Sequence, residues 1–362
     1  MVYLDYAAGS PKVYYPCEYG SFGDCINLNT GYARYNVKED MKKNLDKIRM
    51  YLGTKGGRVE VGPNVSVICR ILTEHVKNHG AILCGTKIEH SCVYDILDDH
   101  FENDEQMIEQ MLRKNDYSEE YPLLTFKMAV NNVTGEIFDN SKLKDVCNTT
   151  KAFLVSDFTA ALPNLNVRDI GVDGYDVIFA STSKIGTEQG IGFIWMSDRF
   201  CNCFGIDDEI PLIPGTPNQI RIKQVANAVE DEVGNDGIYD REFHWECSAK
   251  LWEKLKEVEL IDMNVEAPDY YNADKHVRGI NLIVLKDILA DPLQQYLASK
   301  QIYIGVGHSS CEGSGDYRVL KASGFTKNEA ERAIRVSFGY DTRPHDIDIL
   351  VDAIKEFKER FC

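Results

Sequence analysis

Five short apolar runs constrain the fold of this chain more than any other feature. They read AILC (81–84), LLTFKMAV (123–130), AFLV (152–155), VIFA (177–180) and GFIWM (192–196). Each is nearly continuous in apolar residues, the pattern of a strand buried on both faces. Helical periodicity fills the spaces around them, at 36–52, 64–78, 91–100, 141–149 and 219–231. Together they predict an α/β fold with a mostly parallel central sheet covered by helices. In such sheets ligands bind beyond the carboxyl ends of the strands, so the polar residues that follow each run are the ones to weigh.

A chain of 362 residues is too long for one simple core. Near residue 235 the pattern changes to a helix at 241–257, a strand at 281–286, a helix at 290–300, strands at 301–306 and 333–338, and a last helix at 344–360. Pro344 suits the first turn of that last helix, and Ile347, Leu350, Val351, Ile354 and Phe357 recur at helical spacing. The expected division is a large domain at 13–232 and a smaller α+β domain built from 1–12 and 233–362. The Pro- and Gly-rich stretch GIDDEIPLIPGTPN (205–218) reads as irregular.

Each of the first four runs is followed by a polar group. His90 comes after the first, Asn131 and Asn132 after the second, Asp157 after the third, and Lys184 in STSK after the fourth. Taken singly, Asp157 reads equally as a helix cap, Asn132 as a turn residue, His90 as a satisfied core histidine and Lys184 as a surface charge. Taken together they match the needs of pyridoxal phosphate. Its aldehyde takes a lysine amine, its ring nitrogen a carboxylate, its ring face a flat side chain, and its phosphate hydroxyls and a helix N-terminus.

The formal charge of −17 repels phosphate backbones, so direct nucleic-acid binding is not expected. No stretch reaches the roughly 18 apolar residues of a membrane span. The opening MVYLDYAAGSPK lacks a basic segment followed by an apolar one, so a cytoplasmic location is expected. Eleven cysteines, an odd number, then read as free thiols rather than a disulfide framework. Cys201 with Cys203, and Cys84, His90 and Cys92, are the two groupings a metal might use; neither has paired C-x-x-C spacing, and no metal is expected.

Seven segments resemble the cysteine desulfurases, fold-type I pyridoxal phosphate enzymes of the class V aminotransferase family. VYLDYAAGSP resembles their opening segment, IEHSCVYD (88–95) their T-E-H-x-A-V-L-D, and NNVTGEI (131–137) their N-N-E-x-G. The block from Ser156 to Met196 resembles D-A-x-Q … S-G-H-K-x-x-G-P-K-G-x-G, and PGT (214–216) resembles R-S-G-T. SSCEGSGDYRVLKASG (309–324) resembles the mobile cysteine loop, here about 305–316, and AIRVSFG (333–339) resembles S-I-R-x-S-L-G. The segments span nearly the whole chain in the family's order.

The resemblance implies a role for each matching residue. Lys184 would hold the cofactor aldehyde, Asp157 the ring nitrogen, and His90 the ring face, with a part in proton transfer. Asn132 would reach the ring hydroxyl or the substrate, and Ser181 the phosphate. Thr216 would reach the phosphate of a neighbouring subunit, which implies a homodimer. Arg335 would clamp the substrate carboxylate, and Cys311 would accept sulfur from L-cysteine as a persulfide, aided by His308, then pass it to an acceptor protein in iron–sulfur assembly or another thiolation pathway.

The chain departs from the family pattern at several of these places. Ala160 replaces a glutamine, Ser183 the histidine before the lysine, and Ile213 the arginine of R-S-G-T. Asn64 stands at the usual phosphate threonine, where it can still cap a helix, and Asp24 stands at a substrate-pocket asparagine. These departures keep two alternatives open: a related pyridoxal phosphate enzyme (selenocysteine lyase, β-lyase or aminotransferase), and a non-catalytic homologue that binds partners.

Overall fold

The computed structural model describes residues 1–10, 34–114, 122–234, 241–262, 274–307 and 317–362. Its strands in chain order are β1 (Val2–Leu4), β2 (Arg58–Gly62), β3 (Ile82–Thr86), β4 (Asp99–Phe101), β5 (Leu123–Phe126), β6 (Phe153–Asp157), β7 (Val177–Ser181), β8 (Gly192–Met196), β9 (Ile280–Val284), β10 (Ile302–Val306) and β11 (Ala333–Ser337). The five apolar runs supply β3, β5, β6, β7 and β8. Every residue of β5, β6 and β8 is buried, as their unbroken apolar character requires.

The chain divides into two units. The larger comprises Lys12–Ala129 and Asp139–Gly237; the smaller comprises Met1–Pro11, Val130–Phe138 and Ile238–Cys362. Val130–Phe138, which the sequence alone places in the large domain, is held in the small unit by backbone bonds. Val277 N donates to Gly135 O, and Ile137 N donates to Lys275 O, both at 2.9 Å.

The large unit contains a seven-stranded sheet in the order β2-β8-β7-β6-β5-β3-β4. The strands from β7 to β4 run parallel, and β8 is antiparallel to both of its neighbours. The carboxyl ends of β2, β3, β5, β6 and β7 therefore share one edge of the sheet. At that edge Gly192 of β8 is paired with Ser181 on one side and Gly62 on the other. A Cβ on Gly192 would lie 3.1 Å from Ala180 O and 3.3 Å from Pro63 O, so the absence of a side chain lets the three strands close up.

The helix Val65–Lys77 packs on this sheet through Val65, Ile68, Cys69, Leu72 and Val76, which recur at helical spacing. Its N-cap is Asn64, whose Oδ1 accepts from Val67 N at 3.1 Å. The helix expected over 91–100 is shorter, Ser91–Tyr94, because the chain turns and enters β4 at Asp99. Polar Asp99 and His100 give that edge strand no apolar signature, and β2, which begins Arg58-Val59-Glu60, went unmarked for the same reason.

The small unit holds a four-stranded sheet in the order β1-β10-β11-β9. β1 is parallel to β10, and the other pairs are antiparallel. The helix Pro344–Phe361 buries Ile347, Leu350, Val351, Ile354 and Phe357 in its core. Among the described residues no helix is long and apolar enough to cross a membrane.

Phe179 lies fully buried in the core of the large unit. Phe179→Ala should cost about 3–5 kcal/mol, read as a lower urea midpoint with little change in slope.

Candidate active site

Polar side chains gather where β3, β5, β6 and β7 end. Asp157 is the last residue of β6, and only 9% of its surface is exposed. Its Oδ1 accepts from Thr159 N at 2.8 Å. Thr159 Oγ1 in turn accepts from Ser181 N at 3.0 Å, so one threonine ties the end of β6 to the end of β7. Burial pushes the Asp157 carboxyl above its ordinary value; its Thr159 bonds and the nearby charges of His90 and Lys184 act in the opposite direction.

Lys184 sits in the single 3-10 turn Thr182–Ile185 that follows β7, and it is half-buried. The turn closes on Gly186 at φ +85°, a left-handed conformation that suits glycine. Ser181 and Ser183 flank the lysine, with their Oγ atoms 3.0 Å apart. Through the shared pairing with Gly192, Ser181 lies on the same edge as Gly62, two residues before the Asn64 cap. Hydroxyls beside a helix N-terminus are a suitable donor set for a phosphate.

His90 caps the short helix Ser91–Tyr94. Its Nδ1 lies 3.0 Å from Cys92 Sγ and 3.3 Å from Cys92 N. The preceding residue, Glu89, is 1% exposed. Its Oε1 accepts from Met128 N at 3.2 Å and from Thr86 Oγ1 at 3.3 Å, which joins the exits of β3 and β5. Lys127 is buried nearby and pairs with Asp104 at 2.7 Å. Burial raises the Glu89 carboxyl to about 7, against the pull of Lys127.

The other expected residues differ in exposure and in partners. Asn64 and Thr216 are exposed in the large unit. Ile213, at the arginine position of R-S-G-T, turns to the apolar core: its Cδ1 would lie 2.6 Å from a Cβ on Gly62. Its amide donates to buried Glu60 at 2.7 Å, and Glu60 takes its counter-charge from Arg58. Ala160 is buried.

In the small unit, Asn131 Oδ1 accepts from Val133 N and Thr134 N, as a turn asparagine does. Asn132 offers its carbonyl to Arg335 Nη1 at 2.9 Å. Arg335 is 1% exposed, and its Nη2 pairs with Asp5 Oδ1 at 2.8 Å, while its buried Nε has no hydrogen-bond partner among the described residues. A two-pronged grip on a substrate carboxylate would require one of those partners to yield. Cys311, His308 and Asp24 lie outside the described residues.

The site thus assembles Asp157, His90, Lys184, Ser181 and Ser183, and adds Thr159 and Glu89, which the motif reading did not single out, and Cys92, which it weighed only as a metal candidate. Thr159 carried a usable signal, since a hydroxyl residue two positions after a strand-end Asp is a common turn arrangement. A pyridoxal phosphate fits this donor set. Among the described residues no basic side chain forms an ion pair with buried Asp157, and a cationic ring nitrogen is what such a carboxylate calls for.

Glu89 supplies a pH test. The folded chain keeps a proton on it up to about 7, whereas the unfolded chain releases it near 4.5. Its contribution to stability therefore falls as pH rises across that window, by an amount of order 3 kcal/mol at most. Glu89→Gln should flatten the decline relative to wild type in urea titrations spanning the window. Parallel curves for the two proteins would contradict a buried protonated Glu89.

Residues 68–204 match the family model Aminotransferase class-V. A cysteine desulfurase IscS of Colwellia psychrerythraea is 23% identical over 294 residues, covering 76% of this chain and 70% of the relative. A cysteine desulfurase IscS of Acinetobacter baumannii is 22% identical, covering 99% and 93%. Among solved structures, a NifS-like protein superposes with a TM-score of 0.76 at 17% identity, covering 99% of each chain. A NifS-like protein from Rickettsia africae gives 0.75 at 16%. The fold is thus shared across the whole chain while the sequence has drifted far. Residues 68–204 thus carry an Aminotransferase class-V match, and over nearly its whole length the chain is similar, at low identity, to cysteine desulfurases.

Proposed function

We propose that this protein is a pyridoxal phosphate-dependent cysteine desulfurase that converts L-cysteine to L-alanine and carries the sulfur as a persulfide on Cys311. The observation that carries the reading is the arrangement of Asp157 and Lys184. A deeply buried carboxylate that forms no ion pair among the described residues, with His90 and Lys184 nearby, ends one strand, and the lysine follows the end of the next.

In this reading Asp157 holds the ring nitrogen and Lys184 supplies the amine that binds the aldehyde. Ser181, Ser183 and the helix capped by Asn64 receive the phosphate. Bound pyridoxal phosphate supplies an electron sink for the bonds at the substrate α-carbon. His90 would face the ring and would move the α-proton. Arg335 would orient the substrate carboxylate, with the Asn132 carbonyl bound to the same guanidinium. The Cys311 thiolate takes the substrate sulfur, and the three-carbon remainder leaves as alanine. Thr216 serves the phosphate of a second subunit in a homodimer. The persulfide then goes to an acceptor protein in the cytoplasm, for iron–sulfur assembly or another thiolation route. The large domain at 13–232 binds the cofactor, and the small domain carries the cysteine loop.

A second reading is a homologue that keeps the fold to bind partners. It is favoured by Ile213, which seats an apolar side chain in the core where the family pattern has a phosphate-binding arginine.

The test is sulfide and alanine formation from L-cysteine by the protein supplemented with pyridoxal phosphate. Wild type should be yellow and active. Lys184→Ala should lose the bound chromophore, and His90→Ala should lower kcat by about 10²–10⁴-fold. Cys311→Ala should bind cofactor normally yet release no sulfide. Full activity of Cys311→Ala would instead indicate a lyase without a persulfide, and a colourless wild type would support the non-catalytic reading.

A further inference from the structure

Cys92 is a cysteine whose surroundings favour the thiolate. It stands at the alanine of the T-E-H-x-A-V-L-D pattern, so the sulfur is this chain's own addition to the segment. His90 Nδ1 lies 3.0 Å from its Sγ. Cys69, fully buried in the helix Val65–Lys77, belongs to the apolar cluster against which Cys92 packs, and it is the neighbour that most favours the Cys92 thiolate. Cys92 itself is partly exposed. One reachable sulfur thus sits near an imidazole and a second, enclosed thiol.

The electrostatics agree with the geometry. Cys69, with further help from His90, lowers the Cys92 thiol to about 6 against the opposing effect of burial. Cys92, together with burial, drives Cys69 the opposite way. Other thiols in the chain are raised by burial, Cys147 and Cys247 to about 12 and Cys201 to about 11. The cluster does not read as a metal centre: among the described residues no group of three His, Cys, Asp or Glu side chains is placed to hold an ion.

We propose that Cys92 and Cys69 form a peroxide-reactive dithiol, with Cys92 the attacking sulfur, His90 its stabilising neighbour and Cys69 the resolving thiol. In the first step the Cys92 thiolate attacks one oxygen of a hydroperoxide. An S–O bond forms and the O–O bond breaks; sulfur is oxidised to the sulfenic acid, and the peroxide is reduced and leaves as hydroxide or alkoxide, taking up a proton. In the second step the Cys69 sulfur attacks the sulfenic sulfur. The S–S bond forms, the S–O bond breaks, and the thiol proton leaves with the hydroxide as water. A dithiol reductant reverses the pair by exchange. The proposal does not depend on the cofactor reading, because its readout is the oxidation state of two sulfurs.

The test uses the full chain, reduced and then treated with hydrogen peroxide in small molar excess. Non-reducing peptide mass spectrometry should find a Cys69–Cys92 link that dithiothreitol removes, formed while Cys147, Cys201 and Cys247 remain free. The iodoacetamide alkylation rate of Cys92 should rise to a plateau with a midpoint near pH 6, and His90→Gln should move that midpoint upward. In Cys69→Ala, Cys92 should accumulate as a dimedone-trapped sulfenic acid. If Cys69→Ala does not fold, the wild-type link and alkylation profile decide alone. A Cys92 that stays reduced under peroxide, links to a different cysteine, or alkylates with an ordinary thiol midpoint would overturn the proposal.

Discussion

A sheet buried on both faces can carry polar side chains only where its strands stop. In this protein β5 through β8 are apolar and buried almost throughout, so the chemistry-bearing residues fall at the strand ends. Asp157 is the sharpest case. It closes a wholly buried strand and is itself nearly enclosed, so it needs a positive partner. Lys184, His90 and the Thr159 amide each answer part of that need, and each comes from a turn that immediately follows a strand or, for Thr159, lies two residues on.

The same constraint explains how much of the architecture was legible in the sequence. Strands buried on both faces leave unbroken apolar runs, and the helix Pro344–Phe361 leaves a clear helical period. β2 and β4 leave neither. β4 is an edge strand with two exposed polar residues, and β2 carries Arg58 and Glu60, whose charges are satisfied by each other and by the 212–213 backbone. Those partners are about 150 positions away in the chain, beyond the reach of any local pattern.

The site was legible in outline for a related reason. Lys184, Asp157 and His90 fall within six residues of the ends of apolar runs, and order along the chain is enough to group them. What order cannot convey is the support behind them. Glu89 looks like a surface glutamate beside a histidine, yet it is sealed between the exits of β3 and β5 and held by Met128 N and Thr86 Oγ1. Cys92 reads as one thiol among eleven, and only folding sets it against Cys69 from another helix. Arg335 shows the converse: its sequence context marks it as a reader of carboxylates, and the fold already supplies it with one, Asp5.

The Thr159 bridge has a consequence for the spacing of the site. Its amide is fixed to Asp157 and its hydroxyl oxygen to the Ser181 amide, so a single residue spans the acidic end and the hydroxyl end of the site. The two ends cannot drift apart without breaking one of these bonds. The separation between the Asp157 carboxyl and the Ser181 end is therefore set by the fold like the span of a fixed calliper.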